Sequence, residues 1–161
     1  MLVESEIRKG LKTVVFGKRE IIVYDETGST NDVAYRLGAE SFPEGTIVIA
    51  ESQTCGRGRH GRTWISIPGQ SISFSIILRP GIDLSSAPGV TLVAAVAVSD
   101  TLHEFSIHTH SIKWPNDILI NSKKVCGILT ELKASGGNVE FIITGIGINT
   151  GHVIELIPAE L

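Results

Sequence analysis

Cysteine is scarce in this chain: there are two among 161 residues, Cys55 and Cys126. They show no CxxC spacing, so neither a zinc site nor a disulfide framework can be read from them. Both are expected to behave as small, partly buried hydrophobes in a reducing cytoplasm. A basic surplus is also missing. Fourteen Lys and Arg stand against 17 Asp and Glu, a formal charge of −3 with a pI of about 5.9. That excludes the broad cationic surface of nonspecific nucleic-acid binders, although a local basic patch remains open. No unbroken run of about 18 apolar residues occurs, so no membrane span is expected. The N-terminus carries Glu4, Glu6, Arg8 and Lys9 with no apolar core segment, unlike a signal peptide. A soluble, cytoplasmic protein is expected. Internal repeats and low-complexity tracts are absent.

The residues that are present, 42% of them apolar, suffice for one core and one domain. Residues 1–19 are charged and weakly periodic, and read as a lead-in helix or linker. Residues 20–25 (EIIVYD) read as a β-branched strand. Gly28-Ser29-Thr30-Asn31-Asp32 offers hydroxyl and amide groups suited to a helix N-cap, with a helix following to about Ala39. Strands are expected at 46–50 and 71–78, the latter strictly alternating at its start (SISFSIIL). The longest helical candidate is 85–105, with Pro88 near its beginning, where proline is tolerated. Further strands are expected at 111–114, 117–120, 125–132 and 139–148, the last two as a hairpin over 133–138. Strands in consecutive pairs imply an α+β fold: a mixed, mainly antiparallel sheet flanked by helices.

Between the strands at 46–50 and 71–78 lies SQTCGRGRHGRTW, residues 52–64, without periodicity. Long loops in compact domains are usually functional or disordered. Arg57, Arg59 and Arg62, three of seven arginines, alternate with Gly56, Gly58 and Gly61. Glycine lets the backbone approach a ligand, and arginine supplies planar forks suited to phosphate, so the loop reads as a flexible cationic clamp. The plainer alternative is a solvated arginine loop. Gly56-Arg57-Gly58-Arg59-His60-Gly61 also spells GxGxxG, but Pro68 and Gly69 preclude the helix that fingerprint must open, and no βαβ unit is expected around it. No Walker GK[ST] occurs either.

Lys113-Trp114-Pro115-Asn116-Asp117 joins a cation, an indole, a rigid turn, an amide and a carboxylate. Asn116 and Asp117 offer oxygens of the kind Mg²⁺ accepts beside substrate phosphates, or they simply form a turn. Lys124 enters the apolar stretch VCGIL, which is costly unless it meets an anion or reaches water from the strand end. Gly127, Gly145 and Gly147 either clear the sheet for a planar ligand or mark bulges.

Taken in order, five segments resemble biotin–protein ligases: Gly28-Ser29-Thr30-Asn31; Gln53-Thr54-Cys55-Gly56-Arg57-Gly58-Arg59-His60-Gly61-Arg62; Lys113-Trp114-Pro115-Asn116-Asp117; Lys124-Val125-Cys126-Gly127-Ile128-Leu129; and Gly145-Ile146-Gly147-Ile148-Asn149. The resemblance covers residues 28–149 and implies a class II aminoacyl-tRNA synthetase/biotinyl-ligase-like fold. It implies biotin-binding roles for Ser29, Thr30, Asn31, Gln53, Gly56, Arg57, Gly58, Arg59, Lys124 and Gly127. On the ATP side it implies Arg59, Arg62, Trp64, Lys113, Asn116, Asp117 and Asn149, with Asp117 as a metal ligand. Lys124, Arg59 and Arg57 are the expected catalytic groups.

The implied activity joins biotin to AMP using ATP with Mg²⁺, then transfers the biotinyl group to a lysine of a biotin carboxyl carrier protein, a subunit of acetyl-CoA carboxylase. A homodimer is compatible with that family. The alternatives are a noncatalytic biotin-binding fragment and a lipoate–protein ligase relative. Relatives continue past the GIGIN strand, so residues 20–161 are expected to be a catalytic domain truncated at its C-terminus. Residues 4–13 resemble the linker after a DNA-binding domain, but no helix-turn-helix is present in this chain, so no DNA binding by it is expected.

Overall fold

A computed structural model describes residues 1–151. Helix α1 spans Glu4–Gly10, β1 Ile21–Thr27, α2 Thr30–Ala39, β2 Ile47–Gln53, β3 Ser71–Leu78 and α3 Pro88–Glu104. Strands β4 (His110–Lys113), β5 (Asp117–Ile120), β6 (Lys123–Ser135) and β7 (Asn138–Asn149) complete one seven-stranded sheet in the order β1-β2-β3-β7-β6-β5-β4. Only β1 and β2 are parallel; the other five neighbouring pairs are antiparallel. The mixed, mainly antiparallel α+β sheet is therefore observed. One correction follows: β1–α2–β2 is a βαβ unit, and the glycine–arginine loop leaves its second strand. The dinucleotide reading still fails, since that loop leads into a single 3₁₀ turn at Arg59–Gly61 and then into β3.

Strand ends differ from expectation where pairing overrides composition. β6 and β7 stay paired from Cys126↔Ile148 to Ser135↔Asn138, with one register shift between Lys133 and Ala134, so Lys133, Ala134 and Ser135 stay in the strand. The hairpin closes on Gly136 and Gly137 alone, with φ of 58° and 84°. Positive φ at both turn positions is what a two-residue hairpin twisted to match its strands requires. The long helical candidate is divided: a 3₁₀ turn at Leu84–Ser86 precedes α3, which has Pro88 at its first position.

Alternation sorts the sheet into two faces. α2 covers one, packing Ala34 and Leu37 against Val48, Ile77, Phe141 and Ile143. α1 lies on the other through Leu2, Ile7 and Leu11 against Ile21, Ile47 and Ile49. α3 shares that second face, with Ala95 and Val98 packed on Ile118, Cys126, Ile128 and Ile146. Residues 84–104 are, by length and composition alone, apolar enough to cross a bilayer. Counting unbroken apolar residues missed this because Ser85, Ser86, Thr91, Ser99 and Asp100 interrupt the stretch. In the fold its inner face lies on the sheet, while Leu92, Val93 and Val96 face outward.

The cysteines part company. Cys126 is fully buried and its thiol is pushed up to about 12, chiefly by desolvation, whereas Cys55 is exposed in the loop, against the expectation of two partly buried hydrophobes. A thiol reagent at neutral pH should therefore titrate one cysteine in the native protein and two after denaturation. Phe141 is 1% exposed and meets Tyr35 edge-on at 5.2 Å. Phe141→Ala should cost roughly 3–5 kcal/mol, read as a lowered denaturant midpoint at unchanged slope.

Candidate functional site

The face of the sheet that carries α2 is hollow where β3, β7 and β6 adjoin. Register sets Ser75 opposite Gly145 and Ser73 opposite Gly147, then Gly145 opposite Leu129 and Gly147 opposite Gly127. Small side chains on three neighbouring strands leave an open cleft. Its space is shared differently from expectation. A Cβ on Gly147 would stand 2.2 Å from Trp64 Cε2, and one on Gly145 would stand 2.0 Å from Asn31 Oδ1. The planar group lying over Gly147 is the Trp64 indole, anchored by Nε1–H donating to Ser73 Oγ at 3.2 Å.

The wall nearest α2 is a polar knot. Ser29 occupies the N-cap position but makes no side-chain cap bond. Gln53, the last residue of β2, accepts from the Thr30 N–H through Oε1 at 2.7 Å and so takes over that task. Ser75 Oγ lies 2.8 Å from Thr30 Oγ1 and donates to Asn31 Oδ1 at 2.6 Å. Asn31 Nδ2 donates to the Leu129 carbonyl at 3.2 Å and to Glu131 Oε2 at 2.7 Å. Ser29, Thr30 and Asn31 are each at least 96% buried, and this network orients the latter two.

The glycine–arginine loop is more ordered than its composition suggests. Arg57 bridges Thr63, Gly58 N–H donates to Arg62 at 2.7 Å, and Trp64 N–H donates to Gly56 at 2.9 Å, making a small hairpin. His60 and Gly61 turn it with φ of 58° and 75°. A Cβ on Gly56 would meet the Trp64 carbonyl at 2.3 Å, so glycine is required there for packing against the loop itself.

Arg57, Arg59 and Lys124 all line the cleft, and among the described residues no carboxylate does. Each is held from behind. Arg57 makes a two-pronged pair with Glu131 at 2.9 Å and also contacts Asp32. Arg59 donates to Asn116 Oδ1 at 3.1 Å, and Lys124 Nζ is 3.0 Å from Asp117 Oδ1. Asn116 Nδ2 also donates to Asp117, at 3.0 Å, so one amide and one carboxylate link the two cations. The anion that Lys124 requires on entering its strand is thus a protein carboxylate.

Of the residues to which the resemblance gives a role, Ser29, Thr30, Asn31, Gln53, Arg57, Gly58, Arg59, Trp64, Asn116, Lys124 and Gly127 line this one cleft. Gly56, Arg62, Lys113, Asp117 and Asn149 do not. Arg62 and Lys113 are exposed, the latter paired across its hairpin with Asp117. Asn149 is buried at the end of β7, and its Oδ1 has no partner among the described residues. Among those residues no group of three His, Cys, Asp or Glu could hold a metal, and Asp117 is already neutralised by Lys124. These side chains do not fit a metal site built by the protein. Sequence reasoning missed Ser73, Ser75 and Glu131; the serines at every second position of SISFSIIL were the available signal. Gly147→Ala should displace the indole, red-shifting Trp64 emission in a Trp114→Phe background and costing about 1–3 kcal/mol in a melt.

Comparison with known proteins is consistent with this geometry. Residues 23–149 match the model of the biotin/lipoate A/B protein ligase family. The bifunctional ligase/repressor BirA of Bacillus subtilis is 49% identical over 160 residues, covering 99% of this chain and 49% of its own. The biotin–[acetyl-CoA-carboxylase] ligase of Mycobacterium tuberculosis is 33% identical, covering 98% of this chain and 59% of its own. The chain therefore spans about half the length of the curated relatives it matches. Among solved structures, the biotin protein ligase of Aquifex aeolicus in complex with biotin and ATP superposes with a TM-score of 0.66 at 37% identity, covering 88% of this chain and 56% of that one. The Leishmania major enzyme in complex with biotinyl-5-AMP gives 0.63 at 31% identity, covering 81% and 57%. With the family model matching most of its length and the class II synthetase-like fold of these ligases in place, the chain belongs to the biotin/lipoate A/B protein ligase family.

Proposed function

We propose that this chain is the catalytic core of an ATP-dependent biotin–protein ligase acting in the cytoplasm. The observation that carries the reading is the convergence of Arg57, Arg59 and Lys124 on one cleft, lined by no carboxylate among the described residues, beside the Ser29–Asn31 and Gln53 knot. A carboxylate and a triphosphate repel each other. Cations preset around the reacting atoms offset that repulsion at no reorganisation cost during the reaction.

In the first step a biotin carboxylate oxygen attacks the α-phosphorus of ATP. The bond to the bridging oxygen breaks, leaving biotinyl-5′-AMP and pyrophosphate. In the second step the amine of a carrier lysine attacks the acyl carbon, AMP departs, and the amine proton passes to solvent. Ser29, Thr30, Asn31 and Gln53 suit the polar biotin rings, because they line the cleft together and hydrogen bonds preorient the last three. Lys124 and Arg59 suit the carboxylate–phosphate junction, since Asn116 and Asp117 link them in one network. Trp64, Asn116 and, more peripherally, Arg62, Lys113, Asp117 and Asn149 are assigned to the nucleotide side. Any Mg²⁺ would arrive on the nucleotide phosphates, and no step here is routed through it. The carrier is a biotin carboxyl carrier protein of acetyl-CoA carboxylase; a homodimer is compatible with this reading.

Pyrophosphate release by this chain should require biotin and ATP together. Lys124→Ala and Arg59→Ala should each lower it by roughly 10²–10³-fold. Calorimetric biotin binding without pyrophosphate would make the chain a binding module, and preferential competition by lipoate would move it to the lipoate ligases.

A further inference from the structure

Glu131 does not line the cleft, yet it touches two residues that do. β6 presents Gly127, Leu129 and Glu131 on one face; the first two line the cleft, and Glu131 stands one step beyond. Its Oε2 accepts from Asn31 Nδ2 at 2.7 Å and from Arg57 Nη2 at 2.9 Å, while Oε1 accepts from Arg57 Nη1 at 2.9 Å. We infer that Glu131 is a positioning residue: its carboxylate ties the glycine–arginine loop to the α2 wall of the cleft, setting Arg57 and Asn31 relative to each other. This inference rests on the function proposed above only for its kinetic consequence.

Several observations favour Glu131 over Asp32 as the tie. The Asp32 side chain is 60% exposed and touches Arg57 through one nitrogen, whereas that of Glu131 is 28% exposed and engages the guanidinium with both oxygens. A fork-to-fork pair is directional and is less screened where water is partly excluded. Glu131 is also held from its other side. Asn31 is 4% exposed and fixed by Ser75 and the Leu129 carbonyl, so the carboxylate has a rigid neighbour to lean on. Past Gln53, the loop's side chains meet this wall through Arg57, and its other side-chain bonds to the rest of the fold run from Arg59 to Asn116 and from Trp64 to Ser73. Removing the charge of Glu131 while keeping its shape should free the loop and leave the sheet intact.

The test is hydrogen exchange of the loop amides at residues 54–64, measured in the protein without ligand, for Glu131→Gln, Asp32→Asn and Arg57→Lys. Glu131→Gln should raise loop exchange by about five- to tenfold with the other segments unchanged, and Asp32→Asn by about twofold or less. Arg57→Lys keeps the charge, removes the fork on an exposed residue, and should match Glu131→Gln. Combining the two should add little beyond either alone. In the adenylation reaction Glu131→Gln should raise the biotin KM by about five- to tenfold with kcat within about twofold, a split that loss of folded protein cannot produce.

Unchanged loop exchange in both Glu131→Gln and Arg57→Lys overturns the inference, as does a rise spread over the whole chain. Should Glu131→Gln fail to fold, Arg57→Lys decides by the same criterion. If the unaltered chain releases no pyrophosphate while loop exchange still rises in the variants, the proposed function falls and the tie stands.

Discussion

Three like charges around one cleft repel one another, and much of the site is the means by which this chain holds them there. Arg57, Arg59 and Lys124 face the opening, and their partners Asp32, Glu131, Asn116 and Asp117 stand at their sides and backs. Asn116 alone among these partners reaches the cleft, and it is neutral. The arrangement offsets the repulsion while keeping the carboxylates of the described residues out of the cleft. The overall charge of −3 gives no hint of this, because the compensation is local.

That electrostatic arrangement depends in turn on a gap in the sheet. Ser73 and Ser75 on β3, Gly145 and Gly147 on β7 and Gly127 on β6 leave room that Trp64 and Asn31 then partly fill. The indole over Gly147 carries the end of the loop, and the amide against Gly145 carries the start of α2. Two distant segments thus meet on one patch of glycine. On the opposite face, larger residues of the same strands pack against α3, so alternation along β3, β6 and β7 serves both purposes.

Much of the fold was legible from pattern. Alternation in SISFSIIL, the apolar stretch of α3 with Pro88 at its start, and the β6–β7 hairpin all emerge with the expected identity. The misses have a common cause. β2 extends to Gln53 and β6 to Ser135 because a paired neighbour satisfies their backbone groups, which local composition does not report. The parallel pairing of β1 with β2 was missed, although the helix between them was expected, because the later strands run in consecutive pairs and suggested antiparallel neighbours throughout. The loop was read as unstructured because its internal bonds are backbone bonds, to which arginine and glycine spacing is indifferent.

Residue types and their order were sufficient for the class of fold, for the resemblance to biotin–protein ligases, and for eleven residues that meet in one cleft. They were sufficient because motif chemistry is carried by side-chain identity, which does not depend on where the chain goes. Partners were another matter. That Gln53 holds the start of α2, that Asp117 rather than a ligand meets Lys124, that Trp64 lies over Gly147, and that Glu131 binds Arg57 and Asn31 together follow from strand register and from a loop folded back across the sheet. Such contacts join residues up to 100 positions apart. Hydrogen bonds and ion pairs act over a few ångströms in space, and no reading of neighbours along the chain can supply that distance.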